Sequence, residues 1–387
     1  MQRFRWARRT VWRSGAVALI AAGAGLVPVQ WSEAASTSSP SEFDAPSGLA
    51  FGGGHLWVTN EAGNSLSEIN PSNGSWIAIF RSKGYRFNRP TAIVSFGADL
   101  FVTNASGSVS ELRASNGALV RVIAGAKYGF VNPVALVTEG TKVLVLNAGR
   151  PSATTPVAGS ITVLNGRTGA LVRKVSGSSF AFDDPVALTV ANSDVFVADK
   201  GNNSVTEVTS SGSLVRVVAA QGLSAPDGIA SGAGNVWVAD SGSNSATEIA
   251  ASTGVVLTTK SNADGAYGFG HPSTVIGSAG NIFVASPFGT SPMVTKLSAT
   301  SGQPSWFMCN TNGPYYFSLL SAFAISGGDL WVASRSGANS QTPGASTGSL
   351  TEISTGSGAL IATYPTPTPP ATTTTTSVPA TTTTTIP

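Results

Sequence analysis

The sequence predicts an all-β chain, a seven-bladed β-propeller of four-stranded antiparallel blades, and three observations carry that expectation. A proline recurs 11 residues before the centre of a strand that reads like Leu56-Trp57-Val58-Thr59-Asn60. A phenylalanine or leucine precedes each proline position by three residues, and a glycine-bearing turn closes each copy. No stretch shows the 3.6-residue periodicity of a helix.

The proline and strand-centre pairs are Pro46 and Trp57, Pro90 and Phe101, Pro133 and Leu144, Pro185 and Phe196, Pro226 and Trp237, and Pro272 and Phe283. A seventh copy keeps the spacing with Leu320 before Trp331. Blades therefore start near residues 46, 90, 133, 185, 226, 272 and 320, about 46 residues apart. The upstream residue is Phe43, Phe87, Phe130, Phe182, Leu223, Phe269 or Phe317. In the fifth copy the four strands read as Gly228–Ala230, Val236–Ala239, Ala246–Ile249 and Val255–Thr258, rich in β-branched and aromatic residues. Turns such as Asn73-Gly74 and Asn116-Gly117 supply the positive φ of a tight hairpin. One such meander cannot bury both faces, whereas stacking blades around an axis buries each against a neighbour. The strand-centre aromatics, including Trp57, Trp237 and Trp331, are accordingly expected between blades.

Pro46-Ser47-Gly48-Leu49-Ala50, then Leu56-Trp57-Val58-Thr59-Asn60, then Gly63-Asn64-Ser65-Leu66-Ser67-Glu68-Ile69 resembles the NHL and YVTN repeats of β-propellers. Asp199-Lys200-Gly201-Asn202-Asn203-Ser204 is similar to the NHL core, and the resemblance spans residues 43 to 365. It implies the fold; function does not follow, because this fold hosts enzymes, receptors and scaffolds alike.

Outside the propeller (residues 36–365) the chain has two segments of different composition. Arg3, Arg5, Arg8, Arg9 and Arg13, the apolar run Gly15 to Val29 and Ser32-Glu33-Ala34 read as a signal peptide over residues 1–35. The apolar run is too short to span a bilayer, so no membrane span is expected after cleavage, and the chain is expected to be secreted or held at a bacterial cell surface. Residues 366–387 are almost only Thr, Pro and Ala, a composition expected to stay extended. Without the leader's five arginines and Glu33, 17 basic and 18 acidic residues remain, a net charge of −1. That balance gives no basic surface for nucleic acid. Cys309, the single cysteine, cannot form an internal disulfide, so a monomeric ring must be held by packing.

Copy three inserts residues 150–159 and copy seven inserts residues 336–348 between their second and third strands. These loops share one rim, the upper face, with the links between blades. The residues beside each proline on that face are the candidate ligand contacts: Arg89, Asn132, Asp184, Asp227 and His271. The repeated third-strand glutamate (Glu68, Glu111, Glu207, Glu248, Glu352) is expected to face solvent or a neighbouring blade. His55 and His271 fall on opposite rims, which excludes a shared histidine metal site. Calcium, the one cofactor considered, would draw on Asp199, Asn202, Asp240 and Asn244, although Asx turns account for the same residues. No HExxH or P-loop pattern is present, and no catalytic residue is assigned. Two readings of function stay open. One is a binding or scaffold module for an extracellular protein, glycan or small molecule. The other is a propeller enzyme of lyase or lactonase type, with a divalent cation at the central channel.

Overall fold

The first blade's strands β1 (Pro46–Gly52), β2 (His55–Asn60), β3 (Ser65–Ile69) and β4 (Trp76–Phe80) form an antiparallel meander in sequence order. Six further meanders of the same order follow in this computed structural model, and their first strands pack side by side around the axis. The structure describes residues 43–364 except 82, 151–153, 220–221, 265–266, 289–290, 312–314 and 336–347. The predicted leader and the Thr/Pro-rich tail lie outside the described residues. Among the described residues the only helices are four single 3₁₀ turns, each in a link between blades.

The ring closes between blade seven and blade one. Blade seven supplies its own fourth strand, Leu360–Tyr364. The Ser321 hydroxyl donates to the Pro46 carbonyl at 2.6 Å, and Phe43 bridges to Gly348. The same hydroxyl position recurs in Ser47, which donates to Pro90 O (2.7 Å), and in Thr91, which donates to Pro133 O (2.8 Å). A ladder irregularity follows the proline position in blades one to five and seven. Proline has no N–H for the ladder, so a bulge there loses nothing. Leu320 keeps the bulge without the proline.

The strand-centre aromatics occupy the interfaces between blades, as the repeat implies. Trp57 packs with Leu66 of its own blade and with Ile93, Leu100 and Val102 of the next. Trp237 does the same against Tyr267, Phe269, Ile282 and Val284. Gly48 lets adjacent first strands approach, since a Cβ there would press on the backbone of Ala92 and Ile93.

The repeated glutamate does not face solvent. Glu68, Glu111, Glu207, Glu248 and Glu352 are all buried, each paired in register with the aromatic at the centre of strand two. Both faces of a blade are covered, so polar alternation along the strand does not mark an outer side. Each carboxylate instead meets a polar partner: His55 (2.5 Å) for Glu68, Arg121 (2.9 Å) for Glu111, Arg216 (2.8 Å) for Glu207, Asn235 (2.7 Å) for Glu248 and the Tyr364 hydroxyl (3.4 Å) for Glu352. Burial nonetheless pushes Glu111 up to about 7, against the opposing pull of Arg121. Two of these partners also cross to the next blade, where Arg121 donates to Thr168 O and Arg216 to Ser252 O. Where blade six has Lys296 in place of the glutamate, that lysine itself donates to Thr355 O of blade seven at 2.8 Å. A cation on one blade thus holds the outer hairpin of the next.

That hairpin explains the turn glycines. Gly117 has φ 67°, and a Cβ on it would overlap the ring of Phe80 on the preceding blade. Left-handed backbone and the neighbour's side chain both exclude a larger residue. Gly117→Ala should therefore lower unfolding free energy by about 2–4 kcal/mol, combining the φ penalty with overpacking. Urea titration of the variant checks this; a loss below about 0.5 kcal/mol, the range of an inert surface change, would contradict it.

Candidate functional site

The upper face is built where the chain passes from one blade into the next. Five of these links carry two aromatics separated by one residue, stacked ring on ring: Tyr85 and Phe87, Tyr128 and Phe130, Phe180 and Phe182, Tyr267 and Phe269, Tyr315 and Phe317, with centroids 5.3–5.5 Å apart. The residue between them turns left-handed, with φ between 54° and 70°. The carbonyl of the first aromatic accepts a hydroxyl from strand three of the blade it leads into. Ser110 donates to Tyr85 O (2.6 Å), Thr162 to Tyr128 O (2.8 Å), Thr206 to Phe180 O (3.0 Å), Thr295 to Tyr267 O (2.8 Å) and Thr351 to Tyr315 O (2.9 Å).

The last residue of strand two completes this buried cluster. In blades one to three it is Asn60, Asn104 or Asn147, whose amide donates to strand-three hydroxyls at 2.9–3.3 Å. In blades four and five it is Asp199 or Asp240, both fully buried. Burial pushes Asp199 from 3.8 up to about 8, outweighing the Thr206 hydroxyl bond, and pushes Asp240 up to about 7.

The residue before each proline is left-handed as well, rather than extended as proline's neighbour usually is. Ala45, Arg89, Asn132, Asp184, Ala225 and His271 have φ between 46° and 53°. Their carbonyls turn back onto the end of strand two, accepting from the N–H of Glu61, Ala105, Ala148, Lys200 and Ser241 for the first five. Three of their N–H groups point the other way, to an asparagine of the preceding blade. Arg89 donates to Asn64 Oδ1, Ala225 to Asn203 Oδ1 and His271 to Asn244 Oδ1, each at 2.7 Å. Arg89 and Ala225 are thus held on both sides, and each of the other four on one.

The five sequence candidates sit on five successive blades, and no hydrogen bond or ion pair joins any two of them among the described residues. Arg89, its side chain 67% exposed, donates to Glu61 Oε1 through Nε (3.0 Å) and Nη2 (2.6 Å). Glu61 also pairs with Arg335 of blade seven. Burial would raise the Glu61 carboxyl, but these two guanidiniums hold it below the usual carboxylate range. Asp227 binds Lys200 at 2.7 and 2.8 Å. Asn132 is exposed, Asp184 is half-buried, and exposed His271 sets its ring edge-on to Phe288 at 5.9 Å. Glu61, Lys200 and Arg335 were not candidates in the sequence; their shared signal is the place just after strand two.

The oxygens considered for calcium serve the chain separately. Asp199 Oδ2 accepts from Thr206, Asn202 Oδ1 from Ser204, Asp240 Oδ1 from the Ser224 N–H, and Asn244 Oδ1 from His271. Among the described residues no three His, Cys, Asp or Glu side chains gather as a metal site. His55 lies on the opposite rim against Glu68, and Cys309 is buried with its Sγ 2.9 Å from the Thr311 hydroxyl. Two depressions accompany the site. One of about 370 Å³ is on the lower face, lined by the small residues that end the first strands of blades four to six. The other, about 420 Å³, is on the upper face between blades one and two.

No protein-family model matches the chain, and no curated protein matches it either. Solved structures do. A computationally designed protein named Ika8 superposes with a TM-score of 0.58 at 15% identity, over 84% of this chain and 88% of its own. Virginiamycin B lyase from Staphylococcus aureus gives 0.58 at 14% identity, over 75% of this chain and 92% of its own. A catalytically inactive form of that lyase with quinupristin gives 0.56 at 15% identity, with the same coverages. At these identities the likeness is one of fold.

The acid pair gives a pH prediction. Native Asp199 and Asp240 keep protons that the unfolded chain releases, so stability falls as pH rises from about 4 to about 8. Asp199→Asn, which copies blades one to three, should raise stability at pH 8 by on the order of 2 kcal/mol and flatten that slope. Thermal unfolding from pH 4 to 8 measures it; equal slopes in variant and parent would show that the carboxyl is ionised in the fold.

Proposed function

We propose that the ring is an exported binding module that takes an extracellular protein, glycan or small molecule on its upper face. The supporting observation is preorganisation. Arg89 projects from backbone bonded to both its own and the preceding blade, Asn132 from backbone bonded to its own blade and His271 from backbone bonded to the preceding one, so ordering these groups on binding costs little. The repeat's resemblance to NHL and YVTN propellers, the leader's composition and the two long insertions that the sequence puts between second and third strands support the same reading. A metal-dependent lyase or lactonase would need Asn132, Asp184, Asp227 and His271 to converge. Asp227 is instead neutralised by Lys200, and His271 packs on Phe288. The likeness to virginiamycin B lyase is one of fold and carries no reaction with it.

The full-length protein on glycan and peptide arrays tests the proposal. One ligand class should be retained and lost at least tenfold in Asn132→Ala/His271→Ala, with an unchanged melting temperature. Retention unaffected by that variant and by shortening of loops 150–159 and 336–348 would move binding off this face.

A further inference from the structure

Net charge conceals a local feature. Arg81, Lys83, Arg86 and Arg89 fall within nine residues of the first link between blades, with no acidic residue among them. Arg89 is spent on Glu61. Arg81, Lys83 and Arg86 are exposed, have no acidic partner among the described residues, and all line the 420 Å³ depression. Asn88, Ser106 and Phe87 line it too, and none of its lining residues is acidic.

The other links show that the fold does not need these cations. Counted back from the first stacked aromatic, Arg81 corresponds to Ala124 and Ser176, and Lys83 to Ala126 and Ser178. Arg86, counted forward, corresponds to Gly129, Ala181, Gly268 and Tyr316. Its φ of 55° is the left-handed conformation in which two other links use glycine. A long charged side chain there is disfavoured by the backbone and gains no acidic partner in return. An observed departure of this kind points toward function.

We infer that this depression is a binding site for a phosphoryl group carried on a small polyol or sugar. The inference deepens the reading of the upper face as a binding face and rests on it. Two guanidiniums and an ammonium can meet the several oxygens of a tetrahedral dianion, which a single carboxylate would not use as fully. Asn88 and Ser106 add neutral hydrogen-bonding groups. The space exceeds that of a phosphate alone, and Phe87 offers an apolar wall to the carrier. A free sugar phosphate presents such a dianion, and a phosphodiester-linked polymer presents phosphoryl oxygens with one charge at each phosphorus.

Isothermal titration of the full-length protein tests it with five probes: a hexose 1-phosphate, the unphosphorylated hexose, inorganic phosphate, a poly(glycerol phosphate) and a short single-stranded oligonucleotide. The hexose phosphate should bind, weakening with added salt, and the hexose should not. Arg86→Gly should weaken binding at least tenfold while leaving the melting temperature unchanged or raised. Arg81→Gln/Lys83→Gln should abolish binding, a second arm that does not depend on the turn. Binding of the polymer alone, lost in the same variants, supports the phosphoryl site and makes the polymer its source. No binding of any phosphate probe, equal binding by the variants, or tighter binding of the oligonucleotide would overturn it. Failure here with retention on the arrays intact would remove this site and leave the upper-face proposal standing.

Discussion

The fold depends on a buried hydrogen bond repeated around the ring: a strand-three hydroxyl donates to the carbonyl of the aromatic that leads into the same blade. Each link comes from the preceding blade and must cross a region closed to water. An unpaired carbonyl there would cost about 1–3 kcal/mol, which makes the serine or threonine obligatory. Ser110, Thr162, Thr206, Thr295 and Thr351 all make this bond and are fully buried. Because it fixes where the link enters, it also sets the stacked aromatics, the left-handed residue before proline and the side chains displayed above.

Charge is divided between two duties. On the interior side, Glu111 with Arg121 and Glu207 with Arg216 connect one blade's outer strand to the next blade's hairpin. On the upper face, Glu61 draws in arginines from the blades on either side, and Lys200 takes Asp227. On that face Arg81, Lys83 and Arg86 have no acidic partner among the described residues and line one depression.

Blade number, strand order and the inter-blade aromatics were legible in the sequence, because spacing survives where residue identity drifts. Leu320 in the proline position shows this: the interval to Trp331 carried the seventh blade. The glutamates stayed open between solvent and a neighbouring blade, because alternation marks a wet face only when a sheet has one; of the two, the structure rules out solvent. The residues before proline gave no warning of their backbone, because Ala45, Arg89, Asn132, Asp184, Ala225 and His271 share no left-handed signature. Their partners were equally hidden: Glu61 and Arg335 lie 274 residues apart in the chain and meet only when the ring closes. The cationic link was visible residue by residue but vanished in the net charge of −1 that remains without residues 1–35.

The most direct measurement is the stability of Thr162→Val, a change that keeps shape and removes the hydroxyl bonded to Tyr128 O at 2.8 Å. The account predicts a loss of about 1–3 kcal/mol in urea unfolding, with faster amide exchange confined first to residues 126–132. Stability within about 0.5 kcal/mol of the parent, with exchange unchanged in that link, would contradict it.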